Sequence, residues 1–129
     1  MMNKTELQVA EVLGLKDINI INLTPHTITF ITEENGNLNV KPSGLVARVS
    51  AKTEETGYMY VTSFDIRIPV TTTVYGEVEG LPDPAENAIY VVSSLVAKQV
   101  PERKDVFIPN ESVRDDQGRI IGCKSLGHI

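Results

Sequence analysis

The sequence is poor in the residues that most often catalyse reactions or bind metals. Its 129 residues include one cysteine, Cys123, and two histidines, His26 and His128. A single cysteine excludes a framework of intrachain disulfides and is typical of a reducing compartment. Structural zinc sites use closely spaced pairs of ligands, which these three residues do not form. We therefore expect a cytoplasmic protein without a metal site or another cofactor.

Basic charge and long hydrophobic runs are also scarce. The chain has 12 lysines and arginines against 17 aspartates and glutamates, a formal net charge of −5. This excess of acidic charge opposes the counterion release on which nucleic-acid binding depends, and so disfavours a nucleic-acid partner. No apolar stretch is long enough to span a bilayer, and the N-terminal segment lacks the uninterrupted apolar region of a signal peptide. We predict that the protein is neither secreted nor bound to a membrane.

The hydrophobic content of 41% is ordinary for a globular protein, and the length fits one domain. Near the N-terminus, Asn3 and Glu6 have the spacing of a capping box, and an apolar stripe follows as far as Gly14. This pattern predicts a short amphipathic helix. We divide the chain into an N-terminal helical segment, residues 1–17, and a single β-rich domain, residues 18–129.

The middle of the chain has the alternation and composition of β-strands. Residues 27–32 alternate between apolar and polar side chains, and the turn signal Asn35-Gly36 predicts that they pair with residues 37–41 in a hairpin. The segments "YMYVTSF", "IRIPVTTTVYGEVEG" and "AIYVVSS" are rich in β-branched and aromatic residues. Pro69 assigns its segment to an edge or bent strand. We predict an α+β fold that is mainly β, with a small antiparallel sheet or barrel-like domain.

The last third of the chain predicts a short helix and two strands. Ser93 or Ser94 can cap a helix near residues 94–100, and Pro101 stops it. The segments "VFIP" and "RIIGCKSL" read as the final strands, with "RDDQG" as the turn that enters the second one. The loop "EGLPDPAEN" contains two prolines and a glycine, and we expect it beside a site or an interface.

Two clusters of polar residues lie at the ends of predicted strands. In "NLTPHT", Asn22 and Thr24 can bond to nearby backbone, and His26 offers a donor and an acceptor. The alternative, a loop that satisfies its own polar groups, remains open here. In "YVVSSLVA", Ser93 and Ser94 add hydroxyls to the backbone amides at the start of a helix, a usual place to hold an anion.

A third cluster consists of arginines that each have an aspartate nearby in sequence. The pairs are Arg103 with Asp105, Arg114 with Asp115, and Arg119 with Asp116. Arginine binds phosphate or carboxylate through two parallel hydrogen bonds, so these residues are candidates for an anionic ligand. The alternative is surface ion pairing, which stabilises a protein by about 0 to 1 kcal/mol and carries no functional information.

Several short motifs occur in an order that resembles a family of small proteins from bacteriophages and from bacterial genomes with mobile elements. They are "NLTPH", "PSG" before "ARV", "GEVEGLP", "YVVSSLVA", "ERKD" and "RDDQGRIIGC", and the match as a whole covers roughly residues 18–126. The resemblance implies a phage context and no enzymatic activity. Small β-rich phage proteins often act on host defence, and one group similar in size and class sequesters cyclic nucleotide or cyclic ADP-ribose signals of Thoeris-type or CBASS-type immunity. This analogy rests on context and size.

The first functional hypothesis is therefore a homo-oligomeric sponge for a phosphorylated, adenine-containing signal. Its predicted ligand-binding residues are Asn22, Thr24, His26, Arg48, Ser93, Ser94, Arg103, Asp105 and Arg114. The three arginines would bind the phosphates. His26 and Ser93 would bond the ribose or base, and Asp105 would orient an arginine or accept from a sugar hydroxyl. No bond is made or broken in this role, so it requires no general base.

Two further hypotheses belong to other functional classes. The protein could be a structural or inhibitory module in which the N-terminal helix, with Leu7 and Leu13, and an exposed sheet edge dock a partner protein. A nucleotide-cleaving enzyme is the weaker alternative, because His26 has no metal or carboxylate companion in its motif. We therefore predict a protein without enzymatic activity.

Overall fold

The computed structural model describes residues 18–33 and 36–129, so the predicted N-terminal helix within residues 1–17 lies outside the described residues. The described residues form eight β-strands and one α-helix. These are β1 (Asn19–Asn22), β2 (Ile28–Ile31), β3 (Asn37–Val40), β4 (Arg48–Val61), β5 (Ile66–Glu79), β6 (Ala88–Val91), α1 (Ser94–Gln99), β7 (Val106–Arg114) and β8 (Ile120–Gly127). The predicted α+β class, mainly β with a short helix near residues 94–100, is confirmed.

Six of these strands form one sheet in the order β1-β6-β7-β8-β2-β3. Its pairings are mixed, because β1–β6, β6–β7 and β8–β2 are parallel whereas β7–β8 and β2–β3 are antiparallel. A parallel bridge from Asn22 to Pro42 joins β1 to the chain that leaves β3. Beside it, the Ser43 N–H donates to the Asn22 carbonyl at 3.0 Å. The two outer strands thus meet, and the sheet closes into a barrel, which protects strand edges that would otherwise be open.

The predicted hairpin is present as β2 and β3, which pair antiparallel with Phe30 opposite Leu38. Phe30 is buried, as the alternation of the segment indicates. Gly36 has φ of 73°, the left-handed conformation that glycine adopts without steric cost. The other half of the predicted turn, Asn35, lies outside the described residues.

The core of the barrel is centred on β6, all four residues of which are buried. Tyr90 and the following Val92 pack with Val96 and Ala97 of α1 in one hydrophobic cluster. The alternate residues of β6 lie on the opposite face of the sheet and are buried there. A parallel strand that is covered on both faces reads as a continuous apolar run, which explains the sequence "AIYVV".

The helix α1 begins at Ser93, one of the two caps that the sequence offered. The Ser93 side-chain oxygen accepts a hydrogen bond from the Val96 N–H at 3.3 Å. Such a cap contributes about 1 kcal/mol, because it satisfies one of the free amides of the first turn. Lys98 lies in the last turn, where its charge complements the helix dipole.

The remaining strands, β4 and β5, form a separate two-stranded antiparallel sheet that we call the β-arm (Arg48–Glu79). Each strand has 14 residues, so the β-arm is about 45 Å long at roughly 3.3 Å per residue. At its base, Val49 and Val78 pair and pack against the core cluster. The chain leaves the β-arm at Gly80, whose φ is 81°, and a side chain there would collide with the Val46 carbonyl. Pro69 lies in β5, which is an edge strand as predicted.

Candidate functional site

The predicted ligand-binding residues do not gather at one place. Because β1, β6 and β7 run parallel, the residues that follow β1 and β6 share one end of the barrel, while those that precede β7 lie at the opposite end. The first end carries Asn22, Thr24, His26, Ser93 and Ser94, and the opposite end carries Arg103 and Asp105. Arg48 is the first residue of the β-arm and lies opposite Glu79, and Arg114 is the last residue of β7. Their ligand-binding role stays a prediction.

In the "NLTPH" loop, the side chain of Asn22 is buried, with 1% of its surface exposed. Its amide nitrogen donates to the carbonyls of His26 at 2.7 Å and Val40 at 3.0 Å. Its amide oxygen accepts from the N–H of Thr24 at 2.9 Å and from the Thr24 hydroxyl at 2.7 Å. Asn22 therefore fixes the loop and ties it to the end of β3 where the barrel closes. The side chain of His26 remains exposed at the surface of this loop.

The turn between β7 and β8 is organised by Asp115. One oxygen of its carboxylate accepts from the backbone amides of Gln117 and Arg119, and the other pairs with the Arg119 guanidinium at 2.9 Å. These hydrogen bonds, that from the Arg119 amide above all, lower the pKa of Asp115. Arg114 instead donates to the Gly118 carbonyl at 2.6 Å. Arg119 thus pairs with Asp115 and not with Asp116, the aspartate that we grouped with it from the sequence.

At the opposite end, Arg103 and Asp105 form a partly buried ion pair. Two parallel hydrogen bonds of 2.9 Å join the guanidinium to the carboxylate, and the exposed side-chain fractions are 17% and 18%. The hydrogen bond to Asp105 raises the pKa of Arg103. The guanidinium also donates to the Pro82 carbonyl at 2.9 Å and lies 6.0 Å from the ring centre of Tyr90. Asp105 therefore orients the arginine, and the pair fastens the loop before β6 to the start of β7.

Beside this ion pair lies an open cleft of about 370 Å³, which we call the β7 cleft. Its lining residues are Pro84, Ala85, Ala88, Ile89, Glu102, Arg103, Lys104 and Asp105. The proline-rich loop that we expected beside a site supplies two of them. Of the nine predicted ligand-binding residues, the cleft includes Arg103 and Asp105, so the three polar clusters do not converge on it.

The most extensive surface feature is hydrophobic and lies on the β-arm. Nine of the fifteen large hydrophobic residues that the described chain exposes belong to it. They are Tyr58, Met59, Tyr60, Phe64, Ile66, Ile68, Val70, Val74 and Tyr75. The composition of these segments predicts strands, but we did not predict that these strands leave the barrel. A signal was present, since "YMYVTSFDIRIPV" is apolar at positions of both alternating sets.

The strand register divides the outer half of the β-arm into two different faces. Met59 lies opposite Ile68, and Val61 lies opposite Ile66, so these residues share one face, which Val70 extends. We call it the aliphatic face. The other face carries Tyr58 and Tyr60 among more polar neighbours.

Polar contacts occupy the aromatic side of the β-arm. The guanidinium of Arg67 lies 4.2 Å from the ring centre of Tyr58, a cation–π contact. The hydroxyl of Tyr60 donates to the carboxylate of Asp65. At the tip, between these strands, Phe64 is 73% exposed. The aliphatic face and the tip are therefore exposed apolar parts of the β-arm, and exposed apolar patches often mark interaction surfaces.

The described residues also bear on metal binding and membranes. Within residues 18–33 and 36–129, no three His, Cys, Asp or Glu side chains form a group that could hold a metal ion. No helix in the same part of the chain has the length and hydrophobicity needed to cross a bilayer. Cys123 is buried, its thiol donates weakly to the Thr29 carbonyl at 3.8 Å, and burial raises its pKa. A small buried thiol of this kind is unreactive.

Comparison with known proteins finds no matching protein-family model, no similar curated protein and no similar solved structure. The resemblance to bacteriophage proteins stays a prediction. The function has to be inferred from the geometry of the described residues.

Proposed function

We propose that this protein is a self-assembling binding module in which the β-arms join copies of the chain. The observation that supports this role is the aliphatic face, where Met59, Ile66 and Ile68 are each more than half exposed. Large contiguous apolar patches are rare on monomers and mark interaction surfaces. A two-stranded sheet is also marginally stable in water, so packing against a partner would stabilise the β-arm itself.

The exposed apolar surface of the β-arm has the size of a stable interface. On average, the nine hydrophobic side chains of the arm are about half exposed. At roughly 150 to 200 Å² for each complete side chain, they offer roughly 700 to 950 Å². Each partner in a standard protein interface buries about 800 Å². Four of these side chains, Met59, Ile66, Ile68 and Val70, belong to the aliphatic face, so pairing of these faces buries less than half of that area and other contacts between the copies supply the rest.

A second copy of the chain is the partner that fits this surface. Two identical aliphatic faces can pack across a two-fold axis, with the two sheets about 10 Å apart, in the same way as the layers of a β-sandwich. In such an interface the same patch serves both copies. The face has equal length in both partners, and its central pair, Met59 and Ile68, has no charge that would be buried without a partner.

Sedimentation analysis of the purified chain tests the proposal. We expect the unmodified protein to sediment as a dimer or larger assembly, and Ile68→Glu to sediment as a monomer, because the variant buries a charge in the aliphatic face. Thr73→Glu is the matched control, since Thr73 lies on the opposite face of the same strand and is exposed. A monomeric unmodified protein, or equal effects of the two substitutions, would contradict the proposal.

A second candidate function is sequestration of a cyclic nucleotide or cyclic ADP-ribose-type signal in the cytoplasm of a phage-infected bacterium. It is favoured by the common location of His26, Ser93 and Ser94, which are exposed at one end of the barrel. An assembled protein would present several copies of this end. Cytoplasmic location is supported by the single, buried cysteine.

Release of bound nucleotide tests this second candidate. The protein is incubated with extracts that contain immune signals, washed and denatured, and the supernatant is analysed by mass spectrometry. Recovery of intact nucleotide, reduced in His26→Ala, is expected; His26 is exposed, so this variant should fold normally. Altered nucleotide would indicate an enzyme instead. Recovery of no nucleotide would contradict the candidate.

A further inference from the structure

The β7 cleft lies where the described part of the chain begins. Strand β1 starts at Asn19, which pairs with Ala88, one of the residues that line the cleft. The Asn19 N–H also donates to the Asn87 carbonyl at 2.8 Å. We infer that residues 1–17 of the same chain, which lie outside the described residues, cover this cleft with their apolar stripe. The inference does not depend on the proposed self-assembly.

The arginine of the cleft is not available to an anionic ligand. Arg103 forms two parallel hydrogen bonds with Asp105 and a third with the Pro82 carbonyl. Arginine would bind a phosphate or carboxylate ligand through the same two parallel bonds, so Asp105 already occupies the position of such a ligand. The apolar surface is therefore the part of the cleft that an occupant can cover.

Four side chains form this apolar surface. Pro84 and Ala85 are exposed, whereas Ala88 and Ile89 are buried residues that line the cleft. The cleft has a volume of about 370 Å³. Since a cavity of about 150 Å³ holds a benzene-sized group, the cleft has room for two apolar side chains.

The N-terminal segment supplies such side chains at a suitable spacing. Leu7, Ala10 and Leu13 recur at an interval of three residues, which is typical of one face of a helix. On the helix that the sequence predicts, Leu7 and Leu13 would be about 9 Å apart, at 1.5 Å per residue. The two leucines can therefore enter the cleft as separate side chains.

The segment is long enough to reach the cleft of its own chain. Leu13 precedes Ile18 by five positions, and five residues span at most about 17 Å. A tether of this length raises the local concentration of the stripe at the cleft to about the millimolar range. This effect favours the stripe of the same chain over that of a second copy.

Docking of the segment would act as a lid. The covered cleft would be closed to other ligands, and the apolar stripe would be hidden from the partner protein that the sequence analysis considered for it. Release of the segment would expose both surfaces together.

A disulfide within one chain tests the contact directly. In a Cys123→Ala background, Leu13→Cys is combined with Ala85→Cys under mild oxidation, and the disulfide is detected by mass spectrometry of non-reduced peptides. We expect the cross-link to form readily. Glu11→Cys with Ala85→Cys is the matched control and should give much less product, because residues two positions apart point to nearly opposite sides of a helix. Equal cross-linking of the two proteins would overturn the inference.

Mixing of two singly substituted proteins identifies the chain that supplies the segment. Chains with Leu13→Cys alone are mixed with chains with Ala85→Cys alone, in the same Cys123→Ala background. We expect little linked product on a denaturing gel. A linked pair as abundant as the disulfide within one chain would show that the segment docks on another copy, and would overturn the inference.

Tryptic cleavage at Lys16 measures docking without added cysteines. Leu13→Glu should raise the rate of this cleavage by about tenfold or more, because it places a charge in the apolar cleft and increases the open population. Ala85→Glu should have the same effect from the other side of the contact. Gln8→Glu adds the same charge on the polar side of the predicted helix and should leave the rate nearly unchanged. Equal rates in the unmodified protein and Leu13→Glu would overturn the inference, whatever the oligomeric state.

Discussion

The barrel and the β-arm are built from the same types of residue, but these residues are buried in the barrel and exposed on the arm. Tyr90 in the barrel is 3% exposed, and its hydroxyl donates to the Asp83 carbonyl at 3.2 Å. Tyr60 in the β-arm is 53% exposed, and its hydroxyl donates to Asp65. The strands that contain them, β6 and β4, both include β-branched and aromatic residues, which favour an extended backbone in either setting. Composition thus specifies the strand, whereas its partners decide whether the strand is buried.

The largest expected effect comes from breaking the closure of the barrel. Asn22→Ala removes a buried amide and leaves the carbonyl of Val40 and the amide of Thr24 without these partners. We expect the free energy of unfolding to fall by about 3 kcal/mol, measured by urea denaturation. The milder change at the arm tip, Asp65→Asn, keeps a residue that tolerates the φ of 53° there and an acceptor for the Tyr60 hydroxyl, and should cost less than about 0.5 kcal/mol. Equal losses in the two variants would contradict the contrast between barrel and arm.

A pair of valine truncations tests the difference in packing. Val91 is fully buried in β6, whereas Val70 is exposed on the aliphatic face. We expect Val91→Ala to lower the free energy of unfolding by about 2 kcal/mol through cavity formation. Val70→Ala should leave the unfolding of a monomeric Ile68→Glu protein unchanged within about 0.5 kcal/mol. A destabilisation by Val70→Ala that equals that of Val91→Ala would show that the arm is packed within its own chain.

The ion pair at the start of β7 is expected to have a smaller effect. Arg103→Lys keeps the charge but loses one of the two parallel hydrogen bonds to Asp105, and the bond to Pro82 with it. We expect a loss of about 1 to 2 kcal/mol in urea denaturation, because the pair is largely shielded from solvent. The control Arg67→Lys, on the exposed arm, should change stability little. If Arg103→Lys leaves the free energy of unfolding unchanged, the stability of the loop before β6 does not depend on this ion pair.

The smallest effect concerns the turn after β7. Its hydrogen bonds lower the pKa of Asp115 in the folded state, so the folded protein favours the charged carboxylate. The stabilisation is therefore present above the pKa of the unfolded chain and is lost as the pH falls through the folded value. NMR titration should show the Asp115 resonance shifting at a pH below the usual range of an aspartate. In Asp115→Asn, the free energy of unfolding should fall slightly less as the pH is lowered. An unchanged pH dependence would show that the hydrogen bonds of Asp115 do not contribute to it.

Local features were the predictable part of the fold. The hairpin of β2 and β3 follows from alternation and the Asn35-Gly36 signal, and α1 follows from its serine cap and Pro101. The strand order was not predictable, because β1 pairs with β6 across a long stretch of chain and period-two patterns do not specify partners. For the same reason, alternation could not show that β4 and β5 pair only with each other and form a separate sheet.

The candidate site was predicted less well than the fold, for a related reason. The sequence identified Arg103 and Asp105 as a pair, since only one residue separates them and their side chains meet locally. It could not show that Asn22 is buried and satisfied by Val40, because that contact depends on barrel closure. Nor could it show that the exposed hydrophobic residues collect on one projecting hairpin. Burial is a property of the assembled chain rather than of a segment.

Closure of the barrel also sets an order of events during synthesis. Asn19 pairs with Ala88, so β1 cannot complete its pairing until β6, 69 residues further along the chain, has been synthesised. The β-arm, by contrast, pairs residues across a short turn, and hairpins form within about 1 to 10 μs. The arm can therefore fold while β1 to β3 still lack half of their neighbours. A lone two-stranded sheet is only marginally stable, so arms of neighbouring nascent chains that paired as proposed would stabilise each other before either barrel is complete.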